Sequence, residues 1–166
     1  MIPNCEQEIY NIHVSTSNVE QYGSSSNVNF VATFNMPLKD VVRAELVTAS
    51  IACDTSNVVY INVDELNNKF TDFANAKEAT GSTDHGFDTT SSILRNAFGS
   101  IYNDDISSKE RITYYNRYPI VAEYPYPIQR LNKLSIKLYG QYGDLITDQG
   151  TNFFTFRFVC NRRNLC

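Results

Sequence analysis

Apolar and polar residues alternate through most of the chain, a pattern that is typical of β-strands with one buried face. Two runs near the C-terminal end are the clearest, with apolar side chains at every second position: Leu134, Ile136 and Leu138, then Phe154, Phe156 and Phe158. A Gly-Asp turn region lies between the runs, which predicts an antiparallel hairpin that closes a β-sandwich. No window keeps apolar residues at helical spacing over three turns.

Eight segments have this strand-like character: residues 8–14, 28–34, 41–53, 58–63, 93–102, 112–124, 131–139 and 152–160. Eight strands with long connections predict an all-β fold, a single jelly-roll sandwich of about eight antiparallel strands in two four-stranded sheets. A seven-stranded immunoglobulin-like sandwich fits less well. The chain has no tryptophan, so the Cys and Trp spacing of true immunoglobulin domains is missing.

Two interruptions of the alternation predict local irregularities. Pro37 cannot donate a ladder hydrogen bond, so we expect the strand that begins near residue 28 to break around residues 36–40. In segment 41–53 the apolar positions change parity, and a β-bulge near Leu46 and Val47 would reconcile the two halves. Three prolines bound the strand-like stretch 118–127, which predicts an edge position or a rigid extended end.

The length of 166 residues predicts a single domain spanning 1–166, with a core at about 8–160 and short terminal arms. Charged residues make up only 19% of the chain, whereas about 25% is usual. Neutral polar side chains, including 18 asparagines, must therefore cover much of the surface. This composition suits a protein that contacts neighbours. It is equally what an all-β protein with many turns would use.

The net charge of -4 and the absence of a clustered basic face argue against a nucleic-acid-binding role. No apolar run reaches the length of a membrane span, and the first residues lack a basic region followed by an apolar stretch. We therefore expect a soluble protein with no direct membrane insertion and no conventional secretion.

The four cysteines are widely spaced and do not form a disulfide scaffold. We expect Cys53 and Cys160 to be buried free thiols. Cys5 and Cys166 lie near the termini, where oxidation between subunits is an open alternative.

Residues that carry catalytic or metal chemistry are sparse. His13 lies on a strand and His85 in a polar loop, so neither is expected to catalyse a reaction or bind a metal. The carboxylates of Asp84, Asp88 and the pair 104–105 are expected to be solvated turn residues rather than a calcium or acid–base site. We predict no catalytic residue, no metal, no cofactor and no enzymatic activity.

Tyrosines are concentrated in one stretch, beside three prolines. Tyrosine offers a large rigid contact area with a polar tip, which favours a protein interface or stacking against sugar rings. The predicted subunit-interface residues are Tyr114, Tyr118, Tyr124 and Tyr126. The alternative is that alternate tyrosines line the core, which applies most to Tyr114 and Tyr124.

Two stretches carry a resemblance to a known family. The first is Leu134-Ser-Ile-Lys-Leu-Tyr139 with its Gly-Asp-Leu connection and Phe-rich final strand; the second is Arg43-Ala-Glu-Leu-Val-Thr-Ala-Ser-Ile-Ala52 followed by Val59-Tyr-Ile61. Both are similar to strands of the single jelly-roll capsid proteins of large icosahedral double-stranded DNA viruses. Ala52 departs from the pattern, because such strands often carry proline at that position.

The resemblance implies a structural capsid protein of the virion, assembled in the host cytoplasm. The chain has room for one jelly roll, which favours the penton protein, a homopentamer at the fivefold vertices that also contacts neighbouring major and minor capsid proteins. One alternative is a minor capsid protein beneath the shell. Another is a carbohydrate-binding host-attachment module that uses the same tyrosines to hold a glycan.

Overall fold

The computed structural model describes residues 6–17, 26–53, 56–67, 97–103, 110–141 and 143–162. Over these ranges the chain is all-β and antiparallel, as the alternation predicts, and its strands form one six-stranded sheet in the order β1-β6-β2-β5-β3-β4. The strands are β1 (Gln7–Ser15), β2 (Asn29–Ala52), β3 (Val58–Val63), β4 (Gly99–Tyr102), β5 (Arg111–Tyr139) and β6 (Phe153–Asn161). A 3-10 turn at Asp64–Leu66 is the one helical element of the described ranges, which hold no helix fit to span a membrane.

The described residues form six strands where the sequence predicted eight, because two pairs of predicted strands are continuous. Segments 28–34 and 41–53 are both part of β2, and segments 112–124 and 131–139 are both part of β5. Pro37 removes one ladder donor but leaves the chain extended, so the break expected around 36–40 is a slip in register between Thr33 and Leu38.

The prediction of a closing hairpin is wrong. β5 and β6 are not neighbours in the sheet, since β2 lies between them and β6 pairs with β1 and β2. An alternating strand has one apolar face, and this pattern is the same whether two strands lie side by side or face each other across a core. The apolar residues of both segments belong to one shared core.

β2 folds back on itself. Phe154 is paired with Ala49, yet its ring also lies 6.1 Å from the ring of Phe30, measured between centroids. Phe30 and Ala49 belong to the same strand, and a straight strand would place residues so far apart in sequence at about 60 Å from each other. The two ends of β2 therefore lie on opposite sides of the same core.

Aromatic rings occupy the centre of that core. Phe154, Phe156 and Phe158 are at most 2% exposed, and consecutive rings along β6 lie 6.2 Å apart. The ring of Phe98, which precedes β4, lies 6.0 Å from that of Phe156. Phe156 thus contacts its two aromatic neighbours on β6 and the ring that precedes β4, so it lies at the centre of the packing.

Asn152, at the start of β6, is a fully buried polar residue with every polar group bonded. Its side-chain oxygen Oδ1 accepts from the backbone N–H of Ala52 at 2.8 Å, and its Nδ2 donates to the carbonyl of Asn27 at 2.7 Å. Its backbone N–H donates to Oγ1 of Thr16 at 2.8 Å, and its carbonyl accepts from the N–H of Thr16 at 3.0 Å. The side chain of Asn152 therefore links the end of β2 to Asn27, and its backbone adds the link to Thr16.

Cys53 and Cys160 are buried thiols outside any disulfide, as predicted. Burial, assisted by the nearby carboxylates of Glu8 and Asp40, raises the pKa of Cys160 to about 11. The thiol is therefore in its unreactive protonated form at neutral pH. Cys5 and Cys166 lie outside the described residues.

Candidate assembly surface

β2 and β5 share an irregularity that occurs three times: four consecutive residues of one strand face a single residue of the other. We call each of these segments an excursion. The excursions are residues 34–37 of β2, and residues 116–119 and 124–127 of β5. An ordinary bulge opposes two residues to one, so each excursion carries more chain out of the ladder than a bulge does. The bulge predicted near Leu46 and Val47 is confirmed by the register shift there: Val47 is the extra residue of β2 against β6, whereas against β5 the extra residues, 116–119, belong to β5.

A proline stands at the last position of each excursion, at Pro37, Pro119 and Pro127. Proline has no backbone N–H to give to a ladder, so it is tolerated where the ladder is already interrupted. These three prolines therefore mark the points at which the two longest described strands leave their pairing.

The first excursion of β5 is held by tyrosine side chains. Asn116 has a backbone φ of 46°, a left-handed conformation that asparagine adopts more readily than most residues. The hydroxyl of Tyr114 donates to the carbonyl of Tyr118 and so closes the excursion across its base. The rings of Tyr114 and Tyr118 lie 5.4 Å apart, with their planes inclined at 59°.

Tyr118 also attaches this excursion to β4, the last strand of the sheet order. Its hydroxyl donates to the carbonyl of Ser100 at 3.0 Å and accepts from the N–H of Tyr102 at 3.4 Å. These are main-chain groups of a terminal strand, the kind that otherwise stay open for pairing with another chain. Tyr118 therefore blocks part of that edge, and its ring contacts that of Tyr102 at 6.5 Å.

The second excursion of β5 has one inward and one outward tyrosine. Tyr124 is half-buried, and its hydroxyl donates to the carbonyl of Leu66 at 3.1 Å, which holds the 3-10 turn against β5. Tyr126 is 90% exposed, the largest exposure of any large apolar side chain in the described residues.

Burial raises the pKa of Tyr124 well above its usual 10.0. The folded state therefore holds the phenol proton more tightly than the unfolded state does. This stabilisation is fully present at a pH below the pKa of the unfolded chain, and it is lost as the pH rises toward the pKa of the folded protein. We expect the free energy of unfolding to fall as the pH rises above 10, and to fall less steeply in Tyr124→Phe. Chemical denaturation of both proteins between pH 8 and 11 measures this dependence, and equal slopes of the free energy of unfolding against pH would contradict it.

At pH 7 the free energy of unfolding of Tyr124→Phe should be about 1 kcal/mol lower than that of the wild type, because one hydrogen bond is lost.

The four tyrosines predicted to form an interface thus have different surroundings. Tyr114 is 2% exposed and lies in the core, so its side chain is not available to a neighbouring molecule. Tyr124 is tied inward, whereas Tyr118, at 36% exposure, and Tyr126 reach the surface. The interface itself stays a prediction, and within this set it can rest directly on Tyr118 and Tyr126.

Sequence reasoning named Tyr115 only as a member of the tyrosine-rich stretch, and it missed other exposed apolar residues. Tyr115 is 66% exposed, Tyr102 is 57% exposed and Met36, within the β2 excursion, is 71% exposed. Ile9 and Val31 are also exposed, at 64% and 56%. The sequence did contain a signal for three of these residues. Ile9, Val31 and Tyr115 each stand next to a residue whose side chain packs into or against the core, so the alternation of the strand places their own side chains outside.

No catalytic centre is found among the described residues. Nδ1 of His13 lies 3.0 Å from Oγ1 of Thr155 on an exposed face, with no acidic partner. No group of three or more histidine, cysteine or acidic side chains within the described ranges is placed to hold a metal ion. His85, Asp84, Asp88 and the pair 104–105 lie outside these ranges.

A groove of about 890 Å³ runs beside the excursion of β2, residues 34–37. Its lining mixes both charges with one aromatic ring: Glu8, Tyr10, Lys39, Asp40, Arg130 and Arg162. The hydroxyl of Tyr10 donates to Glu8 at 2.6 Å, and Arg162 lies 3.5 Å from the same carboxylate. Two of the polar groups that could meet a ligand are therefore already bonded to each other.

The chain was also compared with known proteins. Neither a scan against protein-family models nor a search of curated proteins gives a match for this chain.

Proposed function

We propose that the chain is a single jelly-roll structural protein of a viral capsid, and that it is the penton protein, which forms a homopentamer at the fivefold vertices. The observation that carries this proposal is the pairing order of the strand segments. The resemblance of residues 43–61 and 134–158 to strands of that capsid family supports it. A structural role, with no catalysis and no cofactor, follows from the proposal.

Dividing β2 and β5 at their excursions separates the sheet into two sets of four segments. One set has the order β1, β6, residues 41–52 of β2 and residues 111–123 of β5. The other has residues 29–33 of β2, residues 133–139 of β5, then β3 and β4. Two four-stranded layers that share long strands are what a jelly roll requires. The contact between Phe30 of one set and Phe154 of the other supports face-to-face packing.

The surface supports an assembly role. The described residues present exposed aromatic and aliphatic side chains on rigid strands and excursions rather than in a catalytic cleft. Large tyrosines with polar tips are the residues that most often supply binding energy at protein interfaces. A sandwich that meets its copy through two different surfaces closes into a ring when the rotation per subunit allows it. Five copies would suit an icosahedral vertex, with each contact burying at least about 1,000 Å².

In this proposal the protein is assembled in the host cytoplasm and resides in the virion. Its partners are copies of itself and the neighbouring major and minor capsid proteins.

The mass of the purified protein in solution tests the proposal. Native mass spectrometry, with reductant present and over a range of concentrations, should detect a pentamer. A monomer at all concentrations would contradict the penton role. It would favour a minor capsid protein that needs other partners, or, if the monomer binds glycans on an array, the host-attachment module.

Replacing Tyr126 with aspartate should weaken the pentamer without unfolding the subunit. The side chain is 90% exposed in the isolated subunit, so the thermal midpoint should stay close to that of the wild type. A central interface tyrosine contributes about 2 kcal/mol or more, so the dissociation constant of each contact should rise about 30-fold. Tyr126→Phe is the matched control and should keep the ring. Unchanged assembly of Tyr126→Asp would remove this residue from the interface.

A further inference from the structure

The outer edge of β1 is open within the part of the chain that the structure describes. β1 is first in the sheet order and pairs only with β6. The N–H of Arg162 donates to the carbonyl of Glu6, and the N–H of Thr16 donates to the carbonyl of Asn152. Both bonds flank β1 at even-numbered positions, so the backbone groups of its even-numbered residues point toward β6. Backbone groups of alternate residues point to opposite sides of a strand. Those of Ile9, Asn11 and His13 therefore point away from the sheet.

Within the described residues, this edge has little of what normally prevents pairing with another chain. Its register with β6 is regular over nine residues, from Gln7 to Ser15, with no bulge. The strand contains no proline and no lysine, Ile9 is 64% exposed, and the one acidic residue, Glu8, is already bonded to Tyr10 and Arg162. Isolated proteins usually protect such an edge with a bulge, a charge or a covering loop. An edge with so little protection is therefore expected to have a partner.

The segment of β5 that ends the same set of strands, together with the adjoining strand β4 of the other set, carries aromatic side chains. We call Tyr102, Tyr115 and Tyr118 the tyrosine edge. Tyr102 and Tyr115 are 57% and 66% exposed, and Tyr118 joins β5 to β4. Because Tyr118 already occupies main-chain groups of β4, this side cannot simply accept a strand. It presents rings and hydroxyls instead.

The two edges lie at matching heights. His13 is paired with Thr155, Thr155 with Thr48, and Thr48 with Tyr115, so these residues form one row across the four strands. Rotation about an axis that runs along the strands moves one copy beside the next without changing height. In such a ring Tyr115 of one copy lies level with the outward backbone groups of Asn11 and His13 in its neighbour.

We propose that the ring contact joins the tyrosine edge of one copy to the open β1 edge of the next. This inference rests on the proposed homopentamer and names two surfaces that take part in its contact. The rings cover the side chains around His13, and the hydroxyl of Tyr115 donates to an outward carbonyl of β1. Because the two surfaces differ, the contact is heterologous and closes a ring, whereas pairing of β1 with a second β1 would stop at a dimer.

A charge exchange across this contact tests the inference. His13→Glu and Tyr115→Lys each place an unpaired charge in the contact, and each should raise the concentration needed for half-assembly about tenfold or more. The double variant places both charges in every contact and should recover most of the assembly. Recovery distinguishes a direct contact from a general loss of stability. Gln129→Glu, at an exposed position on neither edge, is the control and should assemble like the wild type.

A second variant tests the backbone edge itself. Asn11→Pro removes an N–H that points away from β6, so the subunit should fold with little change in its thermal midpoint. Assembly should nevertheless weaken. If the wild type forms a pentamer and the variants His13→Glu, Tyr115→Lys and Asn11→Pro assemble equally well, the proposed contact is wrong. The penton role is unaffected by that result. A wild-type protein that never self-associates would overturn the penton role itself.

Discussion

Replacing Phe156 with alanine should lower the free energy of unfolding by about 3–5 kcal/mol, the usual loss when a buried phenylalanine is truncated. The side chain is fully buried and contacts the rings of Phe98, Phe154 and Phe158. These rings come from two separate parts of the sheet, so collapse from one side cannot fill the cavity. Urea denaturation followed by circular dichroism measures the change.

Phe153 provides the matched control, because it lies on the same strand and is 48% exposed. Phe153→Ala should cost less than about 1 kcal/mol, since little buried area is lost. Equal losses in the two variants would mean that the side chains of Phe153 and Phe156 are equally buried, which contradicts the structure.

Replacing Asn152 with alanine should cost about 2–5 kcal/mol. The substitution leaves the N–H of Ala52 and the carbonyl of Asn27 without their side-chain partner in a buried site. Each buried polar group left unpaired costs about 1–3 kcal/mol, more than an exposed hydrogen bond is worth. The loss should exceed that of most polar-to-alanine changes in this protein.

The comparison variant is Asn35→Ala, at an exposed position of the β2 excursion. It should change stability by less than about 0.5 kcal/mol. Hydrogen exchange on Asn152→Ala should show faster exchange at the amide of Ala52 before global unfolding, because this amide loses its side-chain acceptor. If exchange at Ala52 is unaffected, the role of the Asn152 side chain in linking the end of β2 to Asn27 is wrong.

The sequence was sufficient to place the strands, because alternation reports directly which side chains a strand buries. The change of parity at Leu46 and Val47 predicted an irregularity that the register confirms. Parity is a local property, so it could be read from a few neighbouring residues. The same holds for the buried thiols of Cys53 and Cys160, which lie at the ends of apolar runs.

Which strands are neighbours could not be read in the same way. Residues 134–138 and 154–158 have matching apolar faces, and the hairpin prediction took this match for side-by-side pairing. The structure places β2 between them. Alternation defines a face but carries no information on the strand beside it, and a connection as long as residues 140–152 permits several arrangements.

The candidate surface was predicted in part. The cluster of tyrosines and prolines was visible, but parity cannot assign sides within an excursion, where the ladder is interrupted. Tyr114 and Tyr118 illustrate this, since one is buried and the other reaches the surface. The position of β1 opposite the tyrosine edge depends on pairings between distant parts of the chain, which no local pattern contains.

The pairing of β1 with β6 has a consequence for biosynthesis. β1 is made first, yet its one partner strand among the described residues is β6, which also pairs with β2. Until β6 leaves the ribosome, β1 has no ladder and the apolar face of β2 lacks the three phenylalanines that cover it. The sheet can therefore be completed only once β6 has emerged, and β1 and β2 are exposed strands in the interval. Chaperone capture of nascent chains should accordingly persist until β6 has emerged.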